Sequence, residues 1–216
     1  MSLALGLDFA TQSARAVLLD VNGRIYNRIS KDLAPVISGD DGSRKQDPQS
    51  WLDALDYLVH SSIEYARVNN LNISAMAITA TSGTFVLCDE FGIAISQGVM
   101  YNDGTAKTPL ERAALQNLPG TYFKHVPEFL ISHLTGEKNI AADWSHSLKS
   151  GFDLKNKQWE VKSELNLPDV VAPGTKLGEY QEISIFAGMT DGCTGQISAG
   201  GATIGSAVTT LGTTLV

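Results

Sequence analysis

Asn22-Gly23 lies between two β-prone runs, Arg15 to Val21 and Arg24 to Ser30, and nothing else in the chain constrains the fold as tightly. An Asn-Gly pair accepts the left-handed backbone that a two-residue turn needs to match strand twist, so the flanking runs are expected to pair as a hairpin. Ahead of them the apolar run Leu3 to Leu7 ends at Asp8 and gives way to the polar turn Phe9-Ala10-Thr11-Gln12-Ser13. The chain therefore opens as an antiparallel meander, with Asp8 delivered at the C-terminal edge of a buried strand. Asp8, Thr11 and Ser13 then share the first turn, where a carboxylate can hold hydrated Mg²⁺ and hydroxyls can meet phosphate. A plain hairpin with a polar tip explains the same residues equally well.

Residues 31–46 are polar and read as a loop, after which Asp47 caps a helix with Pro48 at its first position. Trp51, Leu52, Leu55, Leu58, Val59, Ser62, Ile63 and Ala66 recur on one face of that helix, which marks it as scaffold, and His60 falls off the face. Ala75 to Ala80 reads as a central strand followed by Thr81-Ser82-Gly83-Thr84, and Phe85 to Cys88 with Ile93 to Met100 as a further hairpin. The hydroxyl-rich Thr-Ser-Gly-Thr turn and the later Tyr101-Asn102-Asp103-Gly104 suit a polyol ligand, or are simply turns of small and polar residues. Helices are expected over 108–118 and 124–134, the second stopped by Gly136. His125 and His133 would lie two turns apart on it without a third ligand, which argues against a metal. Residues 151–178 read as loop, with Trp159 a packing anchor and Pro173-Gly174 a turn.

The stretch from Ile183 to Val216 is rich in glycine and small residues and holds a single ionisable carboxylate, Asp191. A carboxylate enclosed by such a segment is costly unless something pairs with it or uses it, so Asp191 is the candidate for chemistry. The competing reading is that Thr190 or Asp191 caps a helix over 193–200. Beyond it, Gly212-Thr213-Thr214 forms a turn between β-prone runs, offering N–H groups and hydroxyls to one point, as phosphate cradles do and as ordinary hairpins also do.

Several classes are disfavoured by composition. The formal net charge of −7, without clustered Lys and Arg, argues against a nucleic-acid surface. No apolar run reaches membrane-span length, and the start lacks the basic region and cleavage site of a signal peptide, so a cytoplasmic location is expected. Cys88 and Cys193 show neither metal spacing nor a disulfide framework and read as buried thiols.

Taken in order, GLDFATQSARAVLLD, QDPQSWLDAL, ATSGTFVLCDEFG with YND, LTGE, SLKSGFDL, PGTKLGEY, AGMTDGCTG and LGTTLV resemble the FGGY family of carbohydrate kinases over nearly the whole chain. Within it, GLDF, TSGT, LCD and YN look most like the ribulose kinase-like, xylulose-kinase-1 type of plants and cyanobacteria. The resemblance implies an α/β, ribonuclease H-like (actin-like ATPase) fold: a mixed sheet with an opening antiparallel meander, flanked by helices. It implies ATP-dependent phosphorylation of a ketopentose, D-ribulose or D-xylulose, with Mg²⁺. By the same resemblance Asp191 is the general base, Asp8 the carboxylate that helps hold Mg²⁺, Thr11 and Gln12 the first phosphate loop, and Gly212, Thr213 and Thr214 the second. Ser82, Asn102 and Asp103, with Asp8, Ser13 and Asp191, become the sugar-binding set. Partners are then a small sugar and ATP, with neither nucleic acid nor membrane, and a homodimer as a candidate assembly.

Residues 1–205 correspond to the family's N-terminal sugar-binding domain and 206–216 to the start of its nucleotide-binding domain, whose remainder is not in this sequence. Two departures stand out. Ala10 replaces the glycine of the first loop, which requires φ below zero there. The Trp-x-Asp-x-Arg that usually follows the sugar-side strand is Tyr101-Asn102-Asp103-Gly104-Thr105, without the arginine, which speaks against glycerol. Two other readings stay open. One is a sugar-binding module or kinase fragment without catalysis. The other is a ribonuclease H-type nuclease using Asp8, Asp20, Asp89 and Asp191.

Overall fold

The structure, a computed structural model, describes residues 2–160 and 163–209. In chain order its elements are β1 (Ser2–Phe9), β2 (Ser13–Leu19), β3 (Ile25–Asp32), β4 (Ile37–Ser38), β5 (Arg44–Gln46), α1 (Pro48–Val68), β6 (Asn72–Ala80), β7 (Phe85–Cys88), β8 (Gly98–Val99) and α2 (Pro109–Ala114). There follow β9 (Tyr122–His125), α3 (Val126–Thr135), β10 (Ala142–Asp143), α4 (Trp144–Lys149), β11 (Phe152–Asp153), β12 (Gln158–Trp159), β13 (Val170–Val171), β14 (Lys176–Tyr180), β15 (Ile183–Phe186) and α5 (Asp191–Ser198).

The opening meander forms as expected, but the connection between its second and third strands runs over residues 20–24 instead of two residues, and of the Asn-Gly pair only Gly23 takes a positive φ. β1 pairs antiparallel with β2, and β2 with β3, across a turn in which Gly23 has φ +78. Asp20 fastens that turn by accepting from the Asn22 and Arg24 N–H groups and from the Tyr26 hydroxyl. These strands belong to a six-stranded mixed sheet of order β14-β15-β6-β1-β2-β3, in which β6 is central and parallel to both β1 and β15. Strand alternation puts Leu3, Leu5, Leu7 and Phe9 on the core face and leaves Ala4, Gly6 and Asp8 half-buried on the other. The core lies between the first face and α1, whose Trp51, Leu55, Leu58 and Val59 are buried. As the sequence indicates, Asp47 caps α1, its side chain accepting from the Gln49 N–H, with Pro48 in the first turn.

A five-stranded sheet of order β4-β5-β8-β7-β9 stands beside the larger one and encloses a second apolar cluster of Phe85, Leu87, Val99, Leu110, Ala113 and Phe123. Several expectations change here. The loop over 31–46 contains β4 and β5, which join this sheet as runs of two and three residues, too short to show an alternating pattern in sequence. The expected helix over 124–134 begins only at Val126, because Tyr122 to His125 pairs antiparallel with Phe85 to Cys88 as β9. Gly136 does end that helix, with φ +73. His125 is thus its N-cap residue, and His133, on its exposed side, meets Asp56 at 2.9 Å, so the two histidines share no ligand. The helix expected over 108–118 is shorter, Pro109–Ala114, with a complete capping box between Thr108 and Glu111. Cys88 is buried and its thiol is pushed up to about 12 by desolvation, whereas Cys193 is only half-buried, contrary to expectation. Among the described residues no helix is long and apolar enough to cross a membrane.

Candidate active site

Three loops leave the same end of the large sheet. Parallel pairing places Asp8 beside Thr79, and the Thr81 N–H donates to the Phe9 carbonyl, so the turn after β1 and the Thr-Ser-Gly-Thr turn after β6 are neighbours. Past β15 the chain returns to the same place. Ala80 forms a parallel bridge with Thr190, and the Thr79 hydroxyl donates to the Met189 carbonyl at 2.6 Å. This close approach requires glycine at 188, where a Cβ would lie 2.1 Å from the Ile78 carbonyl oxygen. Thr190 is the N-cap of α5 and Asp191 its first residue, so the capping expectation and the functional one describe the same spot.

Asp8 and the residue before Asp191 are tied to consecutive positions of β6, Thr79 and Ala80. The Asp8 carboxyl is raised first by burial and further by the Asp191 charge, while Arg15, 3.5 Å away on the adjacent strand, opposes the shift. Asp191 itself is exposed and not enclosed, the reverse of what its apolar segment implies. None of the residues of α5 is buried, because its small residues contribute little to any face, and among the described elements its main contact is with β6. Glycine-rich composition fixes how closely backbones approach; burial depends on what lies above.

The turn after β1 is held from behind. Gln46, wholly buried, donates from Nε2 to the carbonyls of Thr11 (3.0 Å) and Ala34 (2.5 Å) and accepts from Trp51 Nε1 (2.7 Å). The Gln12 carbonyl accepts from the Leu33 N–H. Since a trans peptide directs its N–H opposite to its C=O, the Gln12 N–H points away from Gln46. Ala10 is absent from the positive-φ residues, so its methyl group is accommodated without backbone strain. Ser13, half-buried, opens β2 on the same face as Arg15, and its carbonyl accepts from the Ala10 N–H.

In the turn after β6, Thr81 and Thr84 share a 2.7 Å hydroxyl contact, and Thr84 Oγ1 also accepts from the Tyr101 N–H. That links the Ser82 turn to the Tyr101-Asn102 loop. Ser82 is half-buried and Asn102 exposed. Gly83, at φ +87, lies under the Lys149 side chain, where a Cβ would come within 3.3 Å. Asp103 behaves differently from its neighbours: buried, it accepts from the Arg44 N–H (2.8 Å) and the Thr105 N–H (3.0 Å) and lies 3.6 Å from Lys45 Nζ. Burial alone would raise its carboxyl, but a hydrogen bond from the Thr105 hydroxyl, the two backbone N–H bonds and the lysine charge outweigh it and hold Asp103 below the ordinary range. Arg112, buried behind the loop, donates to the carbonyls of Tyr101 and Ala106, a holding role within the loop itself. Gly212, Thr213 and Thr214 lie outside the described residues.

One element escaped the sequence reading altogether. Asp143 caps α4, its Oδ1 accepting from the N–H (2.8 Å) and hydroxyl (2.5 Å) of Ser145 and its Oδ2 meeting His146 Nδ1 at 2.5 Å. Burial would raise Asp143, but the His146 hydrogen bond and charge together with Ser145 hold it down at about 2. His146 is fully buried; desolvation lowers it, and the contact and charge of Asp143, with smaller help from Glu128 and the Ala80 backbone, raise it above the usual imidazole range. The ring of His125 stands 5.5 Å from that of His146, with Nδ1 2.7 Å from Glu128 and Nε2 2.8 Å from Ser150. Ser150, His125 and Glu128 have the spacing of a nucleophile, base and orienting acid, yet all three are buried, so no substrate reaches them. The Asp-x-Ser pattern at 143–145 was the available signal, since it is a helix cap.

The acidic residues do not assemble a two-metal set. Asp20 is engaged in its hairpin, and Asp89 accepts from the Phe91 and Ile93 N–H groups of another turn. Among the described residues no three His, Cys, Asp or Glu side chains converge as a metal cage. Asp8, half-buried near the end of β1 and next to the Thr11-Gln12 turn, nevertheless has the chemistry for Mg²⁺, which keeps several waters and takes one or two carboxylates plus substrate phosphate oxygens.

Residues 3–138 match the model of the FGGY family of carbohydrate kinases, N-terminal domain, and the chain belongs to that family. A xylulose kinase of Staphylococcus epidermidis is 20% identical over an alignment that takes in 98% of this chain and 51% of the relative. A ribulokinase of the same species is 31% identical over 42% of this chain and 18% of its own length. Among solved structures, the ligand-bound xylulose kinase from Lactobacillus acidophilus superposes with a TM-score of 0.74 at 17% identity, over 93% of this chain and 50% of that one. Plasmodium falciparum glycerol kinase with ADP gives 0.77 at 15% identity over the same shares. These likenesses establish the actin-like, ribonuclease H-like architecture. The chain spans about half the length of the first of these relatives and of both solved structures.

Proposed function

We propose that this chain is the sugar-binding half of an ATP-dependent pentulose kinase that phosphorylates a ketopentose, D-ribulose or D-xylulose. In this reading residues 1–205 form the N-terminal domain and 206–216 lead into a nucleotide-binding domain. The observation that carries it is a shared sheet end: Asp8 lies beside Thr79 in parallel register and Ala80 bridges to Thr190, the residue before Asp191, so the Thr11-Gln12 turn, the Ser82 turn and the start of α5 leave the same edge.

Asp191, exposed at the start of α5, takes the proton of the sugar hydroxyl as that oxygen forms its bond to the γ-phosphorus and the bond to the ADP oxygen breaks. Exposure suits a base that must reach a substrate. Asp8 would hold Mg²⁺, which when bound neutralises charge on the transferring phosphoryl group and relieves the repulsion between the two carboxylates. The Gln12 N–H and Thr11 hydroxyl are offered to phosphate, as are Gly212, Thr213 and Thr214. Ser82, Ser13 and Asn102 orient the sugar. Asp103 shapes their loop, since its own oxygens are already engaged. Such an enzyme would work in the cytoplasm, where its nucleotide is abundant.

The test is ADP release by the full-length protein with Mg²⁺-ATP and a panel of pentuloses, polyols and no sugar, with Asp191→Ala alongside. Sugar-dependent release abolished by the substitution is expected. Sugar binding without turnover would instead identify a non-catalytic sugar-binding module, and release indifferent to sugar would refute the kinase.

A further inference from the structure

We infer that Ser145 is a positioning residue for Asp191, acting through the backbone of Thr190. The Ser145 hydroxyl has one proton and accepting lone pairs, and both capacities are used. It donates to Asp143 Oδ1 at 2.5 Å and accepts from the Thr190 N–H at 2.8 Å. The second bond crosses from α4 to the N-cap of α5, a residue buried at 4% exposure whose own side chain makes no capping bond. The first turn of α5 is therefore anchored from outside the helix.

The anchor is itself rigid. Asp143 is buried and takes three N–H or O–H donors from α4 besides His146 Nδ1, so its carboxylate cannot turn without breaking a cap. His146 lies behind it, with Nε2 lacking a hydrogen-bond partner among the described residues, and the Ala80 backbone adjoins it. Ala80 is the residue that bridges to Thr190. Two independent ties, Ala80 to Thr190 along the sheet and Ser145 to Thr190 from α4, thus converge on the residue immediately before Asp191. α5 has no buried residue of its own, so packing of the helix body supplies little of this constraint. A base displaced by about 1 Å can lose a hundredfold in rate, which is the scale such an anchor controls.

This inference rests on the reading of Asp191 as the base, and the experiment separates the two. The full-length protein is assayed for sugar-dependent ADP release as wild type, Asp191→Ala, Ser145→Ala and Ser145→Thr, with residue-resolved amide exchange at Thr190. If Asp191→Ala retains turnover, the base assignment fails, and the inference with it. If Asp191→Ala is inactive, Ser145→Ala should lower kcat at least tenfold, leave the sugar KM within about twofold, and speed Thr190 exchange. Ser145→Thr, which keeps the hydroxyl, should restore both. A wild-type kcat in Ser145→Ala, or a lost kcat with unchanged Thr190 exchange, overturns the inference. Should Ser145→Ala not fold, unprotected Thr190 exchange in the wild-type protein overturns it, since the bond would not exist.

Discussion

Gln46→Leu removes one buried amide and with it three hydrogen bonds, two to the carbonyls of Thr11 and Ala34 and one from Trp51 Nε1. The indole N–H belongs to a side chain only 2% exposed and would be left without an acceptor, at a cost of about 2 kcal/mol. The two carbonyl bonds add about 1 kcal/mol each, and the apolar replacement returns about 1 kcal/mol through its greater preference for the interior. The net loss is about 3 kcal/mol, which for a chain of this size lowers Tm by roughly 6–12 °C. Urea unfolding followed by intrinsic fluorescence reads it directly: with a slope of about 2 kcal/mol per molar, the midpoint should fall by about 1.5 M. Gln46→Glu provides the control. It keeps the acceptor for Trp51 but turns a carboxylate toward two carbonyls, so the folded state favours the protonated acid and the deficit should shrink as pH falls. A loss below about 0.5 kcal/mol in Gln46→Leu would show that Gln46 does not tie the turn to α1, and the account of an outward-facing Gln12 N–H would fall with it.

Two further outcomes follow, one from the backbone at Gly188 and one from the Asp143–His146 side-chain pair. Gly188→Ala puts a methyl group against the Ile78 carbonyl, forcing β6 and the chain after β15 apart; stability should fall by about 1–3 kcal/mol and turnover by more than that alone explains. An unchanged melting temperature would contradict the close approach. The Asp143–His146 pair gives a two-sided pH signature. Asp143 is depressed from 3.8 to about 2, so it contributes about 2 kcal/mol above the ordinary carboxylate range and loses it as pH falls toward 2. His146 is raised, so its contribution is complete below the ordinary imidazole value of 6.5 and is lost as pH rises through its folded value. The difference in urea stability between wild type and His146→Gln should therefore be greatest at mildly acidic pH and shrink on either side; a pH-independent difference would mean that the pair is not ionised.

Local chemistry made part of the fold legible. Asn22-Gly23 set the hairpin, Asp47-Pro48 the start of α1, and the apolar run to Ala80 the central strand, because each depends on neighbours in sequence. Lys124 and His125 were read into the helix that follows because they continue its pattern, while the partner that makes them the end of a strand, Phe85 to Cys88, lies far away in the chain. The same limit applied at the site. Asp8 and Asp191 were recognisable as carboxylates ending apolar runs, but the exposure of Asp191, the engagement of Asp103 and the link from Ser145 to Thr190 arise from contacts between distant segments. Residue type indicates what a group can do, and only tertiary contact determines whether it is free to do it.

The parallel pairing of β6 with strands on either side also orders events during synthesis. Its partner β1 has already been made, but β15 comes about a hundred residues later, which at ribosomal speeds of about 5–20 residues per second is a delay of roughly 5 to 20 seconds. Throughout that interval the strand destined for the middle of the sheet presents an open row of unpaired amides and carbonyls, as an edge strand does. The nascent chain is most exposed to misassociation at the element that will later be best protected, and the loop bearing Asp191 is set in place only when that edge closes.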